Sequence, residues 1–214
     1  MKLAICTDVY ASLPFPEMLD KVKSLGIRGV ELTAGGWGSC PHVATTALLR
    51  DDNKLAAFRG ELEQREMEIA ALNCCGNPLS PGGMGELHTK SSYDTAVLAG
   101  KLGVKTIVMM SGCPAGAPGD KTPNWITSTV SWPDYMAPAL DYQWNEVAIP
   151  WWKKFAEHCS AHGVEQIAAV SEGVLKMEHG EALVLVDTIE RPEEIDLHRA
   201  EEMAAEARAE YLIH

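Results

Sequence analysis

Up to Val164 the chain repeats one rhythm: a short apolar run, an amphipathic helical stretch, then a connection that often carries Gly; after Gly163 the rhythm stops. Such alternation predicts βαβ units on a parallel sheet, because parallel neighbours need a crossover long enough to contain a helix. The strand runs are Leu3 to Cys6, Gly29 to Leu32, Ile69 to Leu72 and Thr106 to Met110. A first helix is expected at Pro16 to Leu25, with Met18, Leu19, Val22 and Leu25 on one stripe and Gly26 as its stop. A second spans Asp51 to Gln64, with Asp51 or Asp52 as N-cap and Leu55, Phe58 and Leu62 facing inward. A third covers Ser91 to Leu102 and ends at Gly103. The Pro-, Gly-, Ser- and Thr-rich stretch from Gly112 to Pro138 reads as a long loop after the fourth strand, where an active-site loop of a β/α barrel would lie. Tyr142 to His162 resumes helix, interrupted at Pro150.

Beyond Gly163, Gln166 to Val170 and Ala182 to Val186 are expected as strands, with a hairpin-like turn at Glu178 to Glu181 that cannot continue a parallel repeat. Glu193 to Tyr211 follows as an Ala- and Glu-rich helix with a thin apolar stripe. Composition changes at the same place. All six Cys and all six Trp lie at or before Cys159, and residues 165–214, with thirteen acidic and four basic side chains, hold nine of the twelve net negative charges. Two segments are therefore expected, 1–164 and 165–214.

The 46% hydrophobic content is enough for a buried core. A formal charge of −12 argues against nucleic acid or an anionic membrane surface as partner. No apolar run reaches the roughly 18 to 20 residues that cross a bilayer. The N-terminal stretch has Asp8 among its apolar residues and lacks a small-residue cleavage pattern, so no signal peptide is expected and a cytoplasmic location follows. Without a secretory signal or a CxxC pair, the Cys residues read as free thiols, and vicinal Cys74 and Cys75 as small packing residues. The Gly clusters at 35–38 and 82–85 lack phosphate-loop spacing, and His158 and His162, four apart, have no third ligand near them in sequence.

The segments CTDVYA (6–11), GVELTAGG (29–36), ALNCCGNPL (71–79), DTAVLAGKLGVKTIVMMSGCP (94–114) and WNEVAIPWWKKFAEHCSAHGV (144–164) resemble the sugar phosphate isomerase/epimerase family of xylose-isomerase-like β/α barrels. The resemblance implies the first four β/α units of an eight-unit barrel, a sugar or sugar phosphate as the small-molecule partner, and a divalent ion, Mn²⁺ or Mg²⁺, in the parent family. That family's metal ligands come from strands five to eight. Here EQIAAVSEGV places Val170 where the first ligand, a Glu, would stand, and the following His-Pro pair is absent, so no metal ligand and no cofactor are expected in this chain and catalysis is expected to be impaired. Glu172 reads as an exposed turn residue.

Strand ends on the C-terminal face then supply the candidate site. Glu31, a carboxylate within an apolar strand, and His88, near a helix start, are the catalytic candidates; Asp8, Asn73 and Ser111 are expected to line the substrate. Residues 170–210, VSEGVLKMEHGEALVLVDTIERPEEIDLHRAEEMAAEARAE, are similar to the C-terminal part of the ATP synthase epsilon subunit, and the two resemblances together imply a chimera. Most of the sandwich that would meet a gamma subunit is missing, so that partner is not expected. The expected fold is α/β: a partial, half TIM-type barrel with parallel strands, then a β-hairpin and a C-terminal helix, with an exposed sheet edge that invites homo-oligomerisation.

Overall fold

The structure, a computed structural model, describes residues 3–126, 133–170, 173–178 and 181–186. Strands β1 (Ala4–Cys6), β2 (Gly29–Thr33), β3 (Glu68–Asn73), β4 (Thr106–Met110) and β5 (Gln166–Val170) form one parallel sheet in chain order. Helices α1 (Phe15–Ser24), α2 (Thr45–Arg50), α3 (Asp52–Glu63), α4 (Gly83–Leu102), α5 (Pro133–Asp141) and α6 (Ile149–Ala161) fill the connections. The sheet is not closed: β1 and β5 are its edges among the described residues. The chain divides into two compact units, Met1–Val170 and Ser171–His214, and β5 lies in the first. In the second, β6 (Gly173–Glu178) and β7 (Glu181–Val186) form an antiparallel pair.

Alternation along the strands gives the two faces of the sheet different work. Val30, Leu32, Leu72, Ile107 and Met109 are fully buried on one face, in a core shared with Met18, Leu19 and Val22 of α1, Leu98 of α4 and Phe155 of α6. Complete burial of one such side chain contributes about 1.5–3 kcal/mol. The aromatic residues lock this layer: Phe15 stacks on Phe58 at 4.5 Å, and Tyr93 meets Phe155 edge-on at 5.4 Å. Register puts Cys6 beside Glu31, and Thr33, Asn73, Val108 and Ala168 in one row, on the opposite face. There Cys6 and Ala168 are exposed, while Glu31 and Asn73 are half-buried. This is the face a closed barrel turns to its interior.

The parallel strands and the α/β architecture are those expected, and several boundaries differ for identifiable reasons. Asp51 is the N-cap of α3, accepting from the Asn53 and Lys54 amides, and Gly103 closes α4 in the left-handed conformation. However, α4 begins at Gly83, eight residues before the expected start; its N-cap is Gly82 with no capping side chain, so the usual sequence signal is absent. His88 is consequently a helix residue rather than a loop residue. Helix α2 also lacks a side-chain cap. Pro150 does not interrupt the sixth helix: it sits in the first turn of α6, where a missing N–H costs little, and Tyr142–Ala148 enters as a π-helical turn. Gln166–Val170 pairs with β4, so the hairpin partner of β7 is instead Gly173–Glu178. The expected helix over 193–211 lies outside the described residues.

Two glycines test this geometry with opposite signs. Gly36 has φ +85°, and a Cβ there would stand 2.0 Å from the Cys75 carbonyl oxygen, whereas a Cβ on helical Gly60 meets nothing within 4 Å. In urea unfolding, Gly36→Ala is expected to lose more than about 2 kcal/mol. Gly60→Ala is expected to gain about 0.5–1 kcal/mol.

Candidate functional site

Past the C-terminal ends of the strands the backbone ladder stops, and buried N–H and C=O groups need other partners. Side-chain amides supply several. Asn73, the last residue of β3, accepts from the Cys75 amide at 3.0 Å through Oδ1 and donates through Nδ2 to Glu31 Oε1 at 2.8 Å. Asn77 takes the Cys113 amide at 2.7 Å and donates to the Cys113 carbonyl at 2.9 Å, tying the loop after β3 to the loop after β4. Fully buried Gln143 accepts from the Ile126 amide at 3.0 Å and donates to the carbonyls of Ala115 and Asn124 at 2.9 and 2.7 Å. The described part of the long loop, 112–126, is thus pinned at both ends rather than free.

The candidates fall into three places. Glu31 and Asn73 form one hydrogen-bonded pair on the inner face. Asp8, exposed in a short 3-10 turn after β1, accepts from Thr33 Oγ1 at 2.8 Å on the same rim. His88 stands apart on α4: its Nδ1 accepts from the Asn77 amide at 3.0 Å, and Trp37 lies against its ring at 4.4 Å. Because a backbone N–H occupies Nδ1, the neutral imidazole carries its proton on Nε2, which makes this ring a hydrogen-bond donor. Ser111 is exposed beyond β4, where its carbonyl accepts from Trp152 Nε1 at 3.0 Å.

Sequence reasoning missed several residues here. Trp37, 56% exposed beside buried His88, offers a free ring face at the rim. Trp125 and Trp144 lie 5.0 Å apart and, with Trp152 and Ser111, wall a cavity of about 490 Å³. The Trp125 and Trp152 indole N–H groups are held by the carbonyls of Gly112 and Ser111, which fixes both rings in the cavity wall. His42 is a structural tie, bridging Thr7 Oγ1 and the Leu13 carbonyl. No spacing in the sequence marks these contacts, since each joins residues brought together only by the fold.

Two thiols border Glu31. Burial pushes the Cys75 thiol up, opposed by its hydrogen bond with Asn73 and reinforced by the Glu31 charge. Partial burial likewise pushes Cys6 up, with the Glu31 and Asp8 carboxylates adding to it. Both stay protonated near neutral pH and are poor nucleophiles. Among the described residues no three His, Cys, Asp or Glu side chains converge in a way that would hold a metal ion. One Glu31 oxygen is already committed to Asn73 and its thiol neighbours are protonated, so the described donors do not fit a hard divalent ion. The chemistry available is that of a carboxylate and hydrogen-bond donors.

No family model matches the chain. The Bacillus subtilis (strain 168) protein bearing the name "Uncharacterized protein YfiH" is 50% identical over 168 residues, which are 78% of this chain and 54% of YfiH. The chain therefore spans about half the length of this curated relative. The probable 3-DHS dehydratase AsbF involved in petrobactin synthesis from Bacillus anthracis superposes with a TM-score of 0.50 at 14% identity, over 79% of this chain and 52% of that one. The sheet is part of a β/α barrel. A xylose isomerase-like TIM barrel protein from Mycobacterium smegmatis, solved with magnesium, aligns at 15% identity and a TM-score of 0.47, over 78% of this chain and 54% of its own. No described helix is long and apolar enough to cross a membrane.

The Glu31–Asn73 pair makes a stability prediction. Asn73→Ala leaves the carboxylate and the Cys75 amide without that partner and is expected to cost about 1–3 kcal/mol in urea unfolding at pH 7. Asn73→Asp is expected to cost at least as much, because it removes the Nδ2 donor and sets a second carboxylate against Glu31. An unchanged urea midpoint in either variant would remove the pair from its structural role.

Proposed function

We propose that residues 1–170 form the substrate-facing rim of a sugar phosphate isomerase/epimerase, with Glu31 as the proton-accepting carboxylate. The observation that carries this reading is the placement of Glu31 on the inner face at the C-terminal ends of the strands, with its orientation set by Asn73. A carboxylate held there can remove the proton from a carbon next to a carbonyl, and Asn73 keeps it from rotating away. His88 contributes its Nε2–H to a substrate that reaches α4, while Asp8 and Ser111 contact hydroxyl groups along the rim. The indole faces of Trp125 and Trp144 suit the apolar C–H face of a sugar ring. The proposal includes impaired turnover, since the described donors form no site for the divalent ion used by the parent family. The edges of β1 and β5, unpaired among the described residues, favour association with a second copy.

Assays of aldose–ketose interconversion and epimerisation with Mn²⁺ or Mg²⁺, run beside solvent deuterium incorporation into bound sugar, test both halves. Slow exchange that Glu31→Gln reduces at least tenfold, without metal-dependent turnover, is the expected result. Turnover that depends on added metal would refute the impairment; exchange indifferent to Glu31→Gln would remove the carboxylate from its role.

A second reading concerns the segment expected at 165–214, of which β5 pairs in the parallel sheet and 171–214 form the second unit, and it is favoured by the antiparallel β6–β7 hairpin, which departs from the parallel succession before it. On this reading the segment is an interaction module of the ATP synthase epsilon type joined to an unrelated barrel fragment. A gamma-subunit pull-down discriminates, and no capture is expected, because two strands are only a small part of such a sandwich.

A further inference from the structure

We propose that the cleft between α2 and α4 is a binding site for a phosphate group, free or esterified to a small metabolite. The cleft has a volume of about 830 Å³; neither Glu31 nor Asn73 lines it, and His88 is the one residue it shares with the isomerase reading. Its floor is the Gly35–Gly36 turn, where a Cβ at Gly35 would stand 2.1 Å from Ser91 Oγ, so only glycine lets the chain approach α4 this closely.

What lines it is a set of donors. Arg50, exposed at the end of α2, has no hydrogen bond or ion pair among the described residues, so its guanidinium is free for a ligand. Lys90 adds a second positive charge and is paired with Asp94, the one carboxylate in the wall. Ser91 Oγ accepts the Gly36 amide at 3.1 Å, which directs its own proton elsewhere, toward the cleft or the distant Cys74 sulfur at 3.7 Å. His88, 4% exposed and part of the same wall, has its Nδ1 occupied by the Asn77 amide and its Nε2–H without a partner among the described residues. With the Asp94 charge matched by Lys90, the wall keeps one net positive charge from Arg50, in a chain whose formal charge is −12. A guanidinium with hydroxyl and imidazole N–H donors matches the several acceptor oxygens of phosphate.

Amide chemical-shift titrations and calorimetry on the full chain test this with two probes, inorganic phosphate and glycerol 3-phosphate. Saturable binding is expected, with shifts confined to Gly36, Arg50, Ser91 and their neighbours. Arg50→Gln should weaken it roughly tenfold or more, and Lys90→Gln by a smaller factor, both with unchanged thermal midpoints. Tighter binding of glycerol 3-phosphate identifies an esterified ligand, and equal binding identifies the free anion. Failure of both probes to saturate, shifts centred on the strand ends, or an Arg50→Gln affinity equal to that of the unsubstituted chain would overturn the proposal. None of these readouts depends on turnover, so the result stands or falls separately from the isomerase reading.

Discussion

The rim depends on three side-chain amides that stand in for the backbone ladder where the strands end. Asn73, Asn77 and Gln143 each accept a loop N–H, and each also donates to a second group: a carboxylate, a loop carbonyl, or a pair of carbonyls. A carboxamide carries both donor and acceptor, so one side chain can close two needs of an irregular backbone at once. Neither a hydroxyl-free apolar residue nor a carboxylate can do this. Asn73 thereby also orients Glu31, and the backbone N–H of Asn77, held in place by its own side chain's bonds to Cys113, sets the tautomer of His88.

A parallel sheet is ordinarily covered on both faces, and among the described residues of the first unit this one is covered on one. Its helix-facing side is a dry layer of Val, Leu, Ile and Met, whereas the side with Cys6, Glu31 and Ala168 stays accessible. The polar residues of that second face lie toward the C-terminal ends, where a half-buried carboxylate is tolerable because it has a hydrogen-bonded partner and water nearby. The α2–α4 cleft has a separate origin in the close approach that Gly35 permits.

Much of the scaffold was legible in the residues. Periodicity placed β1 to β5 and the buried Met18, Leu19 and Val22 of α1, but not Leu25, which caps the helix and is exposed; Asp51 and Gly103 marked helix ends with their ordinary chemistry. Legibility failed where an element had no local signal: α2 and α4 start without capping side chains, and Gly82, Gly83 and Gly85 look like turn residues. Gly85 is in fact required by packing, because a Cβ there would meet the Ser80 carbonyl oxygen at 1.8 Å. In the site, Glu31 and Asn73 could be picked out as strand-end polar residues, but their pairing across 42 positions could not. Asn77 and Gln143 went unremarked because their roles arise from partners that only the folded chain reveals, and Arg50 because nothing near it in sequence marks the cleft it lines.

Hydrogen exchange at individual amides tests the claim that carboxamides hold the rim. Cys75, Cys113 and Ile126 lie outside the strands, yet each donates its N–H to a carboxamide oxygen. Their protection should approach that of central-strand amides such as Leu72, and Gln143→Ala should release Ile126 alone while Cys75 and Cys113 stay protected. Exchange of all three at the rate of exposed loop amides near Gly119 would contradict the account.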